Sequence, residues 1–172
     1  MEVLEILKYT VPALIVFFTT FVIMRQMIMK EQAREKLELV LQNQKTITPI
    51  RLQAYERLTL FLERITPHSL IMRVNKPGMT CAQLHQGLLQ AIRAEYEHNM
   101  SQQVYISTKA WEVVKNARSG VIKLVNTSAE KFKPDEPALK LSTLILERSM
   151  EVEKHPTQVA IEFLKSELSE IF

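Results

Sequence analysis

One cysteine, one aspartate and three glycines are all that 172 residues supply of these three types, and each scarcity removes a class of protein. A single thiol cannot build an intramolecular disulfide framework or a cysteine-rich zinc site. So few glycines disfavour β architectures made of many tight turns, and no glycine-rich loop is present to cradle a phosphate. Asp135 is the sole aspartate, which leaves magnesium-dependent phosphoryl transfer short of its usual ligands. Helix is the default. A net charge of +3 names no partner, and the length suits one compact domain with an appendage.

Long apolar runs are also scarce, with one exception near the start. Sixteen uncharged residues, Tyr9 to Met24, lie between Lys8 and Arg25. As a helix they span ~24 Å, somewhat less than a hydrocarbon core of ~30 Å. Lys8 and Arg25 can snorkel, and Ile6, Leu7 and the residues from Gln26 to Met29 lengthen the usable stretch. A cleaved signal peptide would need a basic start and small residues after the run, whereas Glu2 and Glu5 precede it and Arg25-Gln26-Met27-Ile28 follow. The pattern predicts a retained single-pass transmembrane anchor over residues 1–28. Lys8 stands alone before it while Arg25, Lys30, Arg34 and Lys36 follow, so the N-terminus is expected outside and the remaining chain in the cytoplasm. A lone thiol agrees with a reducing compartment.

Residues 29–47 form an expected amphipathic juxtamembrane stalk, with Met29, Ala33, Leu37, Val40 and Leu41 along one side at helical spacing. Ala33, Leu37, Val40 and Gln44 also fit two heptads. The stripe either packs on the protein's own domain or meets a second copy or a neighbouring membrane protein.

Residues 48–172 are expected to form a soluble all-α bundle of about five helices. Thr48-Pro49 reads as a helix start, with Ile50, Ala54, Leu58, Phe61, Leu62 and Ile65 facing inward. Thr66 to Gly78 reads as a break. Thr80 and Gln83 match a capping box that opens a helix from Cys81 to about Asn99. Val104 to Ile106 reads as a short extended or turn segment. Ser107 or Thr108 then starts a helix to about Lys131, and a linker follows at residues 133–137. Two helices close the chain, near Ala138 to Lys154 and Thr157 to Ile171. The first of these carries Leu141, Ile145 and Val152 on one side and Leu139, Leu146 and Met150 on another, which places it centrally in the bundle or shares it with a partner.

Charge is segregated within the domain, at +6 over residues 48–133 and −4 over residues 134–172. Most of these charges fit a solvated surface. Lys109, Lys115, Lys123, Lys131 and Lys133 form a candidate basic surface for anionic lipid headgroups. Nucleic acid is a weaker candidate, because no recognised binding module or aromatic interleaving accompanies the lysines.

Catalytic patterns are scarce as well. Glu95-Tyr96-Glu97-His98 gives a single Glu-x-x-His, half of the pair that a carboxylate-bridged di-iron bundle requires. Cys81 sits at a helix start yet on the stripe with Leu84 and Leu88, so it reads as a buried structural residue. No catalytic, cofactor or metal site is expected. The polar residues that carry most information are Glu95 and Arg118, each placed among apolar neighbours, and a buried charge needs a partner. A structural Glu95–Arg118 pair is expected to fix the register of the two helices.

The stretches from Ile50 to Arg64, Glu95 to Asn99 and Ser101 to Tyr105 resemble an uncharacterised family of small membrane-anchored proteins from Bacteroidetes-type bacteria. The likeness covers the anchor and residues 45 to 130. It implies a Gram-negative inner membrane and supplies no activity, cofactor or functional residue. Anchor, stalk and missing catalytic groups lead to one expectation: a non-enzymatic adaptor or accessory subunit of an inner-membrane complex.

Overall fold

The computed structural model describes residues 2 to 171, with side chains from residue 14 to residue 170 except at 33, 40 and 43. It is all-helical. Its helices are α1 (Glu2–Arg64), α2 (Pro67–Val74), α3 (Cys81–Asn99), α4 (Thr108–Ala129), α5 (Ala138–Met150) and α6 (Pro156–Ile171), with a 3-10 turn at Met100–Val104 after α3. The chain divides into two units, Met1–Thr48 and Pro49–Phe172.

In the first unit, Leu14, Ile15, Val16, Phe17 and Phe18 are exposed, and Phe17 stacks on Phe21 at 6.5 Å between centroids. Thr19 donates its hydroxyl to the carbonyls of Ile15 and Val16, so this side chain makes its hydrogen bonds within the helix. Among the described residues no helix is long and apolar enough to cross a membrane. Tyr9 to Ala13 of the expected span lie outside the residues whose side chains are described. Met29, Leu37 and Leu41 of the stalk stripe are exposed, while the side chains of Ala33 and Val40 also lie outside the described set.

The expected helix start at Thr48-Pro49 is corrected, because α1 is assigned through both residues. Proline removes only its own backbone donor, and Thr46 donates its hydroxyl to the carbonyl of Gln42, four residues earlier, instead of capping a new helix (3.3 Å).

The core of the second unit takes Ala54, Tyr55, Leu58, Phe61, Leu62 and Ile65 from α1. Ile50, expected at the head of that stripe, is exposed because the packed seam begins a turn later at Ala54. Leu84, Leu88 and Ile92 of α3 face Val114, Ala117, Val121 and Val125 of α4 within one continuous core. The small residues on α4 permit close approach of α6, which packs along it through Ala160, Ile161 and Leu164. At Gly120 a methyl group would come within 3.1 Å of the Pro156 ring.

The break expected at Thr66 to Gly78 contains a two-turn helix. Pro67 occupies its first turn, where a missing N–H costs nothing, and Leu70 and Ile71 are buried. The chain then turns at Gly78, whose φ of +81° strains any residue with a Cβ. The capping box at α3 forms as expected: the Gln83 N–H donates to the Thr80 hydroxyl, and the Gln83 side-chain oxygen accepts from the Thr80 N–H. Of the two readings of Val104 to Ile106, the turn is the one observed: Val104 ends the 3-10 turn and Tyr105 and Ile106 follow it. Ser107 caps α4 by accepting from the Ala110 N–H at 3.0 Å.

Residues 133–137 are part of the fold rather than a free linker. The Glu136 carbonyl accepts from the Cys81 N–H at 2.7 Å, and the Pro134 carbonyl accepts from the Ala82 N–H at 3.1 Å. The first turn of α3 presents N–H groups with no helical partner, and these carbonyls satisfy them. The Ala138 N–H completes the clasp by donating to the Met79 carbonyl.

α5 ends at Met150, earlier than expected, and is buried on one face through Ala138, Leu141, Ser142 and Ile145. Its second apolar stripe is not central to the bundle: Leu146 is half-buried, while Leu139 is 71% and Met150 81% exposed. Helices α2, α3 and α4 all contact α5 from the inner side, which leaves its outer side uncovered.

Candidate functional site

The strongest polar constellation joins α1, α2 and α3. Glu95 lies at the seam, with its side chain 17% exposed, and two guanidinium groups converge on its Oε1 atom. Arg64 donates through Nε at 2.7 Å and Arg73 through Nη1 at 2.8 Å. Arg73 also donates through Nη2 to the Arg64 carbonyl at 2.8 Å, which ties the end of α1 to α2. Burial alone would raise the Glu95 pKa, but the hydrogen bonds and charges of Arg73 and Arg64 outweigh it and hold the carboxyl below its usual range. The arrangement clamps three helices around one carboxylate.

A depressed carboxylate pKa contributes stability that is complete above the unfolded-state value and disappears as pH falls through the folded one. Glu95→Gln should therefore cost about 1–2 kcal/mol at neutral pH, kept small because both arginines are partly hydrated. Chemical denaturation at neutral pH and again at acid pH checks this. The difference between wild type and variant should shrink as the solution becomes acid, and an unchanged difference would remove the carboxylate from the explanation.

The expected Glu95–Arg118 pair is corrected by this geometry. Arg73 and Arg64 reach Glu95 from the neighbouring helices, while the Arg118 guanidinium lies 4.0 Å over the ring of Tyr96. Tyr96 is itself stacked with Trp111 at 5.5 Å and tilted against Phe61 at 6.0 Å between centroids. Arg118 thus meets the π-face of the residue beside Glu95, and its buried Nε has no hydrogen-bond partner. Arg118 joins α4 to α3 through an aromatic face.

Lys109, Lys123, Lys131 and Lys133 are exposed, whereas Lys115 is half-buried and donates to Glu112 one turn before it at 2.6 Å. Cys81 is buried, donates its thiol to the Pro137 carbonyl at 3.3 Å, and has its pKa pushed up chiefly by burial. Glu95 of the Glu-x-x-His is engaged by arginines, and His98 lines the wall of a surface groove.

Sequence reasoning passed over two polar features. The Tyr55 hydroxyl is buried beside Glu167 and Arg51, and burial followed by the Glu167 charge raises its pKa. Arg51 Nε donates to the Tyr105 carbonyl at 3.3 Å. The other is Arg148, which reaches the hydroxyls of Thr127 and Ser128 and joins α5 to α4. Contacts between residues so distant in the chain leave no periodic trace.

Helices, clasp and ion cluster define an all-α protein whose second unit is a bundle pinned by a shared carboxylate. The chain belongs to the family of unknown function DUF7935, whose model matches residues 1–171. The match extends through the last forty residues, beyond the region where the sequence resemblance was expected. No curated protein and no solved structure matches the chain.

Proposed function

We propose that this protein is a membrane-anchored, non-enzymatic interaction module: an adaptor or accessory subunit docked to a complex in a bacterial inner membrane. One observation carries the reading. From Leu14 to Met29 the large apolar side chains of α1 are exposed, which is unfavourable in water and natural in lipid. Residues 9 to 13 supply the uncharged remainder of the span. The lysine and arginine excess after the run directs residues 25–172 to the cytoplasm.

The exposed Met29, Leu37 and Leu41 and the outer side of α5, with Leu139 and Met150, offer apolar contacts for another membrane protein or a second copy. Crosslinking in intact cells, followed by purification in mild detergent and mass spectrometry, tests the docking. A reproducible membrane partner or a homodimer with crosslinks at residues 29–41 or on α5 is expected; recovery of monomer alone would sink the reading.

A second reading is favoured by the four exposed lysines, Lys109, Lys123, Lys131 and Lys133, which make no ion pair among the described residues. In this reading the bundle lies against anionic headgroups through α4 and the segment that follows it. Salt-sensitive co-sedimentation with phosphatidylglycerol vesicles, weakened by substituting these lysines, distinguishes it from protein docking; nucleic acid competes only if RNA displaces the vesicles.

A further inference from the structure

A groove of about 480 Å³ opens beside the ion cluster, between α1 and α3. Arg57, Leu60, Phe61 and Arg64 form one wall, and Ala94, Glu95, His98 and Asn99 form the other. We propose that this groove binds a diphosphate or closely related phosphate-bearing anion, an assignment independent of the membrane reading.

Charge count gives the first argument. Arg57 and Arg64 line the groove against the single lining carboxylate of Glu95, which Arg73 also pairs from outside the lining, so the site keeps a positive surplus after its internal pairing. The second argument concerns which donors are committed. Glu95 takes Arg64 Nε and Arg73 Nη1, and the Arg64 carbonyl takes Arg73 Nη2. Both terminal nitrogens of Arg64 and the whole guanidinium of Arg57 have no hydrogen-bond partner among the described residues. Glu95 therefore positions Arg64 while leaving its outer edge available.

Spacing gives the third argument. Arg57 and Arg64 are seven residues apart, two turns along one side of α1, or ~10 Å along the axis. Two long side chains at that separation can converge on one diphosphate or hold its two ends. His98 adds an imidazole from the opposite wall, and Ala94 leaves that wall low. A concave site with low-dielectric walls concentrates the field of these groups more than a convex lysine surface does. Phosphate oxygens match the fork of an arginine better than a single carboxylate would satisfy two forks at once.

The phosphates could belong to a free metabolite or to a lipid headgroup, and two arms separate these sources. In the first, full-length protein in a zwitterionic detergent is titrated with inorganic pyrophosphate by calorimetry. In the second, it is mixed with phosphatidylcholine vesicles with and without phosphatidic acid. Arg57→Gln should weaken binding about tenfold in whichever arm shows it, the loss expected for one charge-assisted contact. Ala94→Leu, which fills the groove without changing charge, should weaken it as well, while Lys140→Gln, an exposed lysine on α5 outside the groove and outside the α4 lysines, should not. Circular dichroism verifies that each variant is folded. Binding of pyrophosphate with this pattern establishes a free anion site, and binding of phosphatidic acid alone with the same pattern establishes a headgroup site. Binding in neither arm, or binding indifferent to Ala94→Leu, overturns the proposal.

Discussion

Phe61→Ala is expected to lower the unfolding free energy of the bundle by about 3–5 kcal/mol, the usual cost of emptying a large aromatic site. Phe61 is fully buried, at 0% exposure, on the segment of α1 between Leu58 and Leu62. Its ring is the first of a chain that continues through Tyr96 and Trp111 and carries Arg118 on top. Truncation leaves a cavity and also removes the support of Tyr96, so the seam between α1, α3 and α4 should loosen together. Domains of this size hold only about 5–15 kcal/mol in total, and the variant should lose a large share of that. Urea denaturation should show a lower midpoint with an unchanged slope. Leu139→Ala on the exposed side of α5 is the matched control and should stay within about 0.5 kcal/mol of wild type. A Phe61→Ala variant within 1 kcal/mol of wild type, on the same order as surface changes, would show that the seam is not where the bundle derives its stability.

How much of this was legible depends on the kind of signal. Signals local to one helix survived the comparison well: Thr80 and Gln83 announce α3 through a capping box, and Ser107 announces α4. Signals with two local meanings did not. Thr48-Pro49 is a valid helix start, yet α1 runs through it; Pro67 reads as a breaker, yet it opens α2. Proline fixes φ in either role, and the neighbouring hydrogen bonds decide which one applies.

The ion cluster was half legible. Glu95 was identified because a carboxylate on an apolar face needs a partner, but sequence alone could not choose among the cations. Arg64 and Arg73 were poor candidates in sequence, since one ends a helix and the other sat in a presumed loop. Once α2 exists, Arg73 joins Arg64 on Glu95, while Arg118 lies over the ring of Tyr96. The apparent linker at Lys133 to Pro137 fails for a related reason. Its carbonyls serve the open N–H groups at the start of α3, a demand that only the folded chain creates.

Phe17→Arg should move the protein from the membrane fraction towards the soluble fraction, with a change in partition on the order of a hundredfold. The proposed span is marginal, since sixteen uncharged residues give ~24 Å of helix against a hydrocarbon core of ~30 Å. Phe17 is near its middle, beyond the reach of easy snorkelling, and an arginine there costs about 3 kcal/mol relative to an apolar residue. A longer span could absorb that penalty by sliding, but Lys8 and Arg25 block displacement in both directions. Phe17→Leu should leave the distribution unchanged, which separates loss of hydrophobicity from loss of the Phe17–Phe21 stacking. Carbonate extraction of membranes provides the measurement, because it releases surface-bound helices and retains spanning ones. An amphipathic helix lying in the interface would be released as wild type and would respond weakly to arginine at a position facing the headgroups. Wild-type protein recovered in the carbonate supernatant would thus exclude the anchor, and the exposed apolar residues from Leu14 to Met29 would then have to be covered by protein instead of lipid.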